Sequence, residues 1–178
     1  MHRLRRGFTL VELVTTLTVL SVLLALGVPA FSQLMESARV SGIFHELTGS
    51  LASARMVAIS QRAPISVCPS QDGRNCRRDL SWDDGWIVFV DTNRSAKPAR
   101  EEDVLRQLGP VPQDIAIRAT AGRHYLRYQP SGFGYGTNLT LRLCSRRTGY
   151  ELGAVVVNNA GRVRSERPLK PLKCAYSP

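Results

Sequence analysis

A chain of 178 residues with 43% hydrophobic content has room for about one globular domain plus an extra element, and this composition excludes wholesale disorder. Formal net charge is +10, with 24 Lys and Arg against 14 Asp and Glu, which points to a polyanionic partner such as nucleic acid or a membrane surface. Four cysteines without a CxxC pair do not resemble a zinc site; the even count fits two disulfides and an oxidising compartment, with three pairings open.

Residues 1–7 read Met-His-Arg-Leu-Arg-Arg-Gly, and from Leu13 to Met35 there is no charged side chain over 23 positions. About 20 helical residues cross a bilayer core, so the run is long enough to span. The arginines before it place the amino terminus in the cytoplasm by the positive-inside rule. An ordinary secretory signal has a shorter apolar core, ~7–15 residues, ending at a small-residue cleavage site. Glu12 stands near the start of the run, and a carboxylate in a membrane segment needs a partner.

The stretch Arg6-Gly7-Phe8-Thr9-Leu10-Val11-Glu12-Leu13 resembles the type III signal of prepilins. The resemblance implies a dedicated prepilin peptidase that cuts between Gly7 and Phe8 and methylates Phe8 as the new first residue. It also implies that Glu12, then the fifth residue, pairs with the terminal amine of a neighbouring pilin during assembly. A buried amine and a buried carboxylate are tolerated when each neutralises the other. Single-pass anchoring in the inner membrane, a periplasmic head and a place in a pilus follow from the same resemblance. Pro29 removes a backbone donor and is expected to bend the helix, where pilins commonly carry a proline.

Beyond the membrane run, Val40, Ile43, Phe44, Leu47, Leu51, Ala54 and Ala58 recur at spacings of three and four, one face of a helix. Arg39, Glu46, Arg55 and Gln61 fall between them. One helix from about Phe8 to Ser60 is expected, closed by Pro64 and packed on a sheet in its second half. The resulting organisation is a leader at 1–7, a transmembrane and filament-core helix at 8–35, an amphipathic helix at 36–63 and a β-rich head at 64–178.

In the head, strands are expected at Ile65–Cys68, Trp86–Val90, Val104–Leu108, Ile115–Ala119, His124–Tyr128, Leu139–Cys144 and Ala154–Asn158, punctuated by Asp, Asn, Gly and Pro. The segment from Thr92 to Asp103 is charged and aperiodic, and reads as a loop. One long helix followed by strands alone gives an α+β fold with an antiparallel sheet. The segment from Trp82 to Asp91, Trp-Asp-Asp-Gly-Trp-Ile-Val-Phe-Val-Asp, is similar to a signature of the GspH/FimT group of minor pilins and pseudopilins. Tyr128-Gln129-Pro130-Ser131-Gly132 resembles that group's following strand and turn. Physically, Trp82 and Trp86 read as core, Trp86–Val90 as a strand buried on both faces, and Asp91 as a turn residue.

Cys68 and Cys76 flank a turn-rich segment, and Cys144 and Cys174 enclose the carboxyl-terminal hairpin, so the pairs 68–76 and 144–174 are expected. The tail after Arg164 has little apolar content and needs such a tether, which a closed loop of this kind supplies at a few kcal/mol. No thiol, histidine or carboxylate stands at catalytic spacing, and no phosphate-binding glycine loop or cofactor motif is present, so neither an enzyme nor a cofactor is expected.

The charge is unevenly placed. Residues 1–7 carry +3, residues 8–141 carry 13 basic and 12 acidic side chains, and residues 142–178 carry 8 basic and 2 acidic, a net of +6. Arg142, Arg146, Arg147, Arg162, Arg164, Arg167, Lys170 and Lys173 supply that excess. Val155–Arg164 reads as a hairpin turned at Asn158-Asn159-Ala160-Gly161, with Arg162 and Arg164 on one face and Val163 on the other. Two guanidinium forks on one face suit phosphate oxygens. Gly161-Arg162-Val163-Arg164 also resembles the GRxR motif of FimT-type minor pilins. That resemblance implies non-specific DNA binding in natural transformation through Gly161, Arg162, Arg164, Arg146, Arg147, Arg167 and Lys170. A solvated charged edge that blocks sheet-to-sheet pairing is the competing reading. So is a structural minor pilin or type II secretion pseudopilin that primes filament assembly without DNA. Phe133 and Tyr135 read as a turn-forming aromatic pair, with stacking on bases as an alternative.

Overall fold

The computed structural model describes residues 9–136 and 138–174; Gly7 and Phe8, the expected cleavage point, lie outside them. A helix, α1, runs Leu10–Gln61. Thr9 caps its start: Glu12 N donates to Thr9 Oγ1 at 3.2 Å and Leu13 N to Thr9 O at 3.1 Å. Glu12 lies in the first turn, where a carboxylate opposes the positive end of the helix dipole. The helix continues unbroken through position 29. It stops where Arg62 takes a left-handed φ of 51°, two residues before Pro64.

The chain forms two compact units, divided between Gly42 and Ile43. In the first, Leu10–Val28 is long and apolar enough to cross a membrane. Leu13, Leu17, Leu20, Leu23, Leu24 and Leu26 of this stretch are all exposed. Such a continuous apolar surface is stable in lipid or against other helices, not in water.

In the second unit the stripe of α1 is buried as its spacing required: Ile43, Phe44, Leu47, Leu51, Ala54 and Ala58. Each buried leucine contributes about 1.5–3 kcal/mol. Eight strands follow: β1 Ile65–Pro69, β2 Trp86–Val90, β3 Val104–Leu108, β4 Ile115–Ala119, β5 Leu126–Tyr128, β6 Leu139–Ser145, β7 Glu151–Val157 and β8 Val163–Glu166. They form two four-stranded antiparallel sheets, ordered β3-β2-β1-β5 and β4-β6-β7-β8. The division into two sheets is a matter of long-range pairing, which residue periodicity does not encode.

The burial of β2 on both faces has a structural cause. On one face Trp86 Nε1 donates to Ser50 Oγ at 2.9 Å, a buried bond to a small polar residue within the α1 stripe. On the other, Ile87 and Phe89 form a core with Cys68, covered by Cys76, Val104 and Tyr125. The Cys68–Cys76 disulfide, Cα–Cα 5.5 Å, therefore closes a lid over the outer face of this sheet. The second expected pair, Cys144–Cys174, is also formed, with Cα–Cα 6.1 Å.

Two carboxylates organise the head. Asp83 accepts hydrogen bonds from Ile117 N and Arg118 Nη1 and pairs with Arg146, which ties the loop before β2 to β4. Asp91, expected at a turn, is wholly buried. Its Oδ2 accepts from Ser66 Oγ at 2.7 Å and Arg127 Nε at 2.8 Å. Sequence placed it at the end of β2 correctly, but its solvent exposure was decided by what packs above it.

Candidate nucleic-acid interface

The β7–β8 hairpin carries Arg162 and Arg164. Its register sets Val157 opposite Val163, Val156 opposite Arg164, Val155 opposite Ser165 and Ala154 opposite Glu166. The connecting turn is stitched by local hydrogen bonds. Gly161 N donates to Asn158 O at 2.8 Å, Arg162 N to Asn158 Oδ1 at 2.9 Å, and Asn158 N to Arg162 O at 3.2 Å. Gly161 has φ +74° and is buried. A Cβ there would stand 2.0 Å from Gly132 O and 3.1 Å from Arg55 Nε. The glycine is thus required by the close approach of a second turn, from Gln129 to Gly132, as much as by its own conformation.

That second turn belongs to a loop joined to the hairpin on one side and to β5 on the other. Arg55 Nε, from α1, donates to Gly132 O at 3.0 Å. Gly134 N donates to Asn159 O at 3.0 Å, and Tyr135 N to Arg127 O at 2.8 Å. Beneath this contact Tyr128 is buried, and burial pushes its hydroxyl above the usual tyrosine range, tempered by the charge of Arg55.

The basic residues of the carboxyl-terminal region do not converge on one patch. Strand β7 is seven residues long, about 20 Å from end to end. Gly161, Arg162 and Arg164 lie at or next to its carboxyl end. Arg146 and Arg147 lie in the β6–β7 turn, at its amino end. The tail returns to that same end: Glu151 N donates to Leu172 O at 2.8 Å and Cys174 N to Gly149 O at 3.0 Å. Arg167 and Lys170 therefore belong to the second group.

The two groups also differ in charge compensation. Arg162 is exposed, and its guanidinium makes no hydrogen bond or ion pair among the described residues. Arg164 pairs with Glu166 through Nε to Oε1 at 2.6 Å. The same two-residue alternation that aligns Arg162 with Arg164 also aligns Glu166 with them, a signal carried by the sequence itself. Arg146 is held by Asp83, and Arg142 by Glu151 at 3.0 Å. The Arg167 guanidinium lies 5.7 Å from the centre of the Phe44 ring. Lys170 is exposed on the tail. Glu12, the assembly candidate, makes no ion pair among the described residues; its backbone N–H donates to Thr9 Oγ1 and its carbonyl oxygen accepts from Thr15 Oγ1. No set of three or more His, Cys, Asp or Glu side chains fit to hold a metal occurs among the described residues.

The family model described as type II transport protein GspH matches residues 44–161, and the prokaryotic N-terminal methylation motif matches residues 2–28. The fimbrial protein EcpB of Eikenella corrodens is 34% identical over 76 residues, 42% of this chain and 47% of its own, so the match spans about half of that relative. The crystal structure of the type IV minor pilin FimU of Pseudomonas aeruginosa superposes with a TM-score of 0.62 at 21% identity, covering 79% of this chain and 98% of that one. A second crystal form of FimU gives 0.56 at 22% identity, covering 74% and 96%. At this identity the likeness is one of fold.

Proposed function

The chain belongs to the GspH family of type II transport proteins, and on that premise we propose that it is a minor type IV pilin that binds DNA non-specifically and supports uptake in natural transformation. In this reading prepilin peptidase removes residues 1–7 and methylates Phe8. The Leu10–Val28 helix anchors the subunit in the inner membrane and then in the pilus, and Glu12 meets the terminal amine of another pilin. The head stands in the periplasm, where the two disulfides persist.

The observation that carries the DNA reading is Arg162. It sits exposed at the tip of a hairpin whose turn is fixed by three hydrogen bonds, with no carboxylate paired to its guanidinium among the described residues. An uncompensated guanidinium on a rigid turn offers a two-pronged donor to phosphate at little ordering cost. No recognition helix accompanies it, so contacts go to the backbone of DNA and affinity falls steeply with salt. The test uses the full processed chain in uncharged detergent micelles and a fluorescent duplex. Arg162→Ala is expected to weaken binding and to reduce the slope of log affinity against log salt by about 1. Glu166→Gln, which releases Arg164, is expected to strengthen it. Equal affinity of the Arg162→Ala and Arg164→Ala double variant with wild type would remove the proposed contact.

A second reading is favoured by the pairing of Arg164 with Glu166 and of Arg146 with Asp83, which spends basic side chains on holding the head together. In it the protein is a structural minor pilin or secretion pseudopilin that primes filament assembly. A deletion strain that loses pili or secretion, yet takes up DNA whenever pili are restored, would favour that alternative.

A further inference from the structure

Resting on the DNA reading above, we propose that the head holds a second nucleic-acid contact, a cleft at Arg94 and Tyr135 that takes an unpaired nucleotide, so that the surface from Arg94 to Arg162 prefers single-stranded DNA.

The cleft has a volume of about 280 Å³ and is lined by Pro64, Arg94, Arg127, Gln129, Pro130 and Tyr135. Its floor is built from the buried ion pair: Arg127 is held by Asp91, and its Nη2 donates to Arg94 O at 2.8 Å. Arg94 N donates in turn to Asp91 O at 2.9 Å, so the backbone that carries Arg94 is fixed at the rim. With Arg127 neutralised by Asp91, the remaining charge of the cleft is that of Arg94. Its side chain is exposed and makes no hydrogen bond or ion pair among the described residues.

Tyr135 forms the wall toward the hairpin. The Arg127 guanidinium lies 5.6 Å from the centre of its ring, which orients the ring, and 54% of the residue remains exposed. Phe133, on the far side of Gly134, is 55% exposed. Exposed aromatic side chains beside fixed cations are the recurring chemistry of single-strand binding, in which each base presents a π-face and each phosphate meets a cation. Duplex DNA offers only its phosphates to such a surface, because its base faces are already stacked.

The cleft and the hairpin belong to one surface. Tyr135 N is bonded to Arg127 O, and its neighbour Gly134 to Asn159 O in the turn that presents Arg162. Two uncompensated guanidiniums therefore flank a loop that exposes two aromatic rings, and the same hydrogen bonds set their spacing. Gln129, in the same loop, offers an amide that can bond a base edge without selecting one base, in keeping with sequence-tolerant binding.

The experiment compares fluorescence anisotropy of a labelled oligothymidylate with that of a duplex of equal length. The protein is the full processed chain in uncharged detergent, as wild type, Tyr135→Ala, Tyr135→Phe, Arg94→Ala and Arg162→Ala. Tyr135→Ala is expected to weaken single-strand binding about tenfold, the scale of losing one stacked base, and to leave the duplex within about twofold. Tyr135→Phe is expected to restore the single-strand affinity. Arg94→Ala should weaken the single strand more than the duplex, whereas Arg162→Ala should weaken both. If Tyr135→Ala binds the single strand as wild type does, or loses both forms equally, the cleft is not a nucleotide site and the hairpin reading stands alone. If wild type binds neither form, the DNA reading itself falls, and this inference with it.

Discussion

Gly161 opens the basic motif, yet the structure gives it a packing role that can be measured apart from DNA. In Gly161→Ala the new Cβ meets the Gly132 carbonyl oxygen at 2.0 Å at a φ of +74°. The left-handed conformation alone costs about 1–2 kcal/mol for a residue with a Cβ. A 2.0 Å overlap with backbone oxygen cannot be relieved by a side-chain rotation, so one turn must retreat from the other. That movement breaks the bond from Arg55 Nε to Gly132 O, worth about 1.5–3 kcal/mol for a charged donor, and strains the Gly134–Asn159 bond, worth about 1 kcal/mol. The expected loss is about 3–5 kcal/mol, or a fall of about 10 °C in Tm for a chain of this size. Gly132→Ala is the comparison. Its φ is similarly +79°, but its Cβ meets the tip of Ile59 at 2.8 Å, a side chain able to move, and the expected loss is about 1–2 kcal/mol. Urea unfolding of the full chain in detergent reports both, through the emission of Trp82 and Trp86, which are fully buried. A Gly161→Ala variant within about 0.5 kcal/mol of wild type would refute the packing argument and return the glycine to a purely functional role.

Two further outcomes follow from the carboxylates. Asp91→Ala leaves the guanidinium of Arg127, 7% exposed, without its counter-charge, and is expected to destabilise the head by about 3–5 kcal/mol; Asp91→Ala combined with Arg127→Met is expected to recover much of that loss in the same unfolding assay. The Asp72 carboxyl is held below its usual value, first by the Asn75 side-chain amide and then by the backbone N–H groups of Asn75 and Arg74. Its contribution is complete above the ordinary value of 3.8 and is lost as pH falls through the lower folded value, so the Tm difference between wild type and Asp72→Ala should be greatest near neutrality and shrink in acid.

Local features of the sequence foretold local structure. Strands β2, β3 and β4 occupy the ranges their apolar runs marked, and α1 ends next to Pro64. His124 and Tyr125 fell outside β5 and Asn158 outside β7, because a strand ends where its partner ends, and the partner is remote in sequence. The amphipathic spacing from Ile43 to Ala58 identified the buried face, yet gave no reason for Ser50 to lie within it. Only the arrival of the Trp86 indole explains a buried hydroxyl there.

The amino-acid order alone determined the membrane-length apolar run, the processing motif and the helix face, because each depends on neighbours a few positions apart; the cysteine count left three pairings open, and the fold closes Cys68–Cys76 and Cys144–Cys174. Tertiary structure decided how the remaining cations are arranged and which long-range carboxylates meet them. Eight basic side chains crowd the last 37 residues, but Arg162 and Arg164 stand about 20 Å along β7 from Arg146, Arg147, Arg167 and Lys170, and Glu166, Asp83 and Glu151 pair with Arg164, Arg146 and Arg142. Charge acts through space and is cancelled by whatever folding brings beside it, so the motif could name Arg162, but only the folded chain leaves it and Arg94 without a carboxylate partner among the described residues.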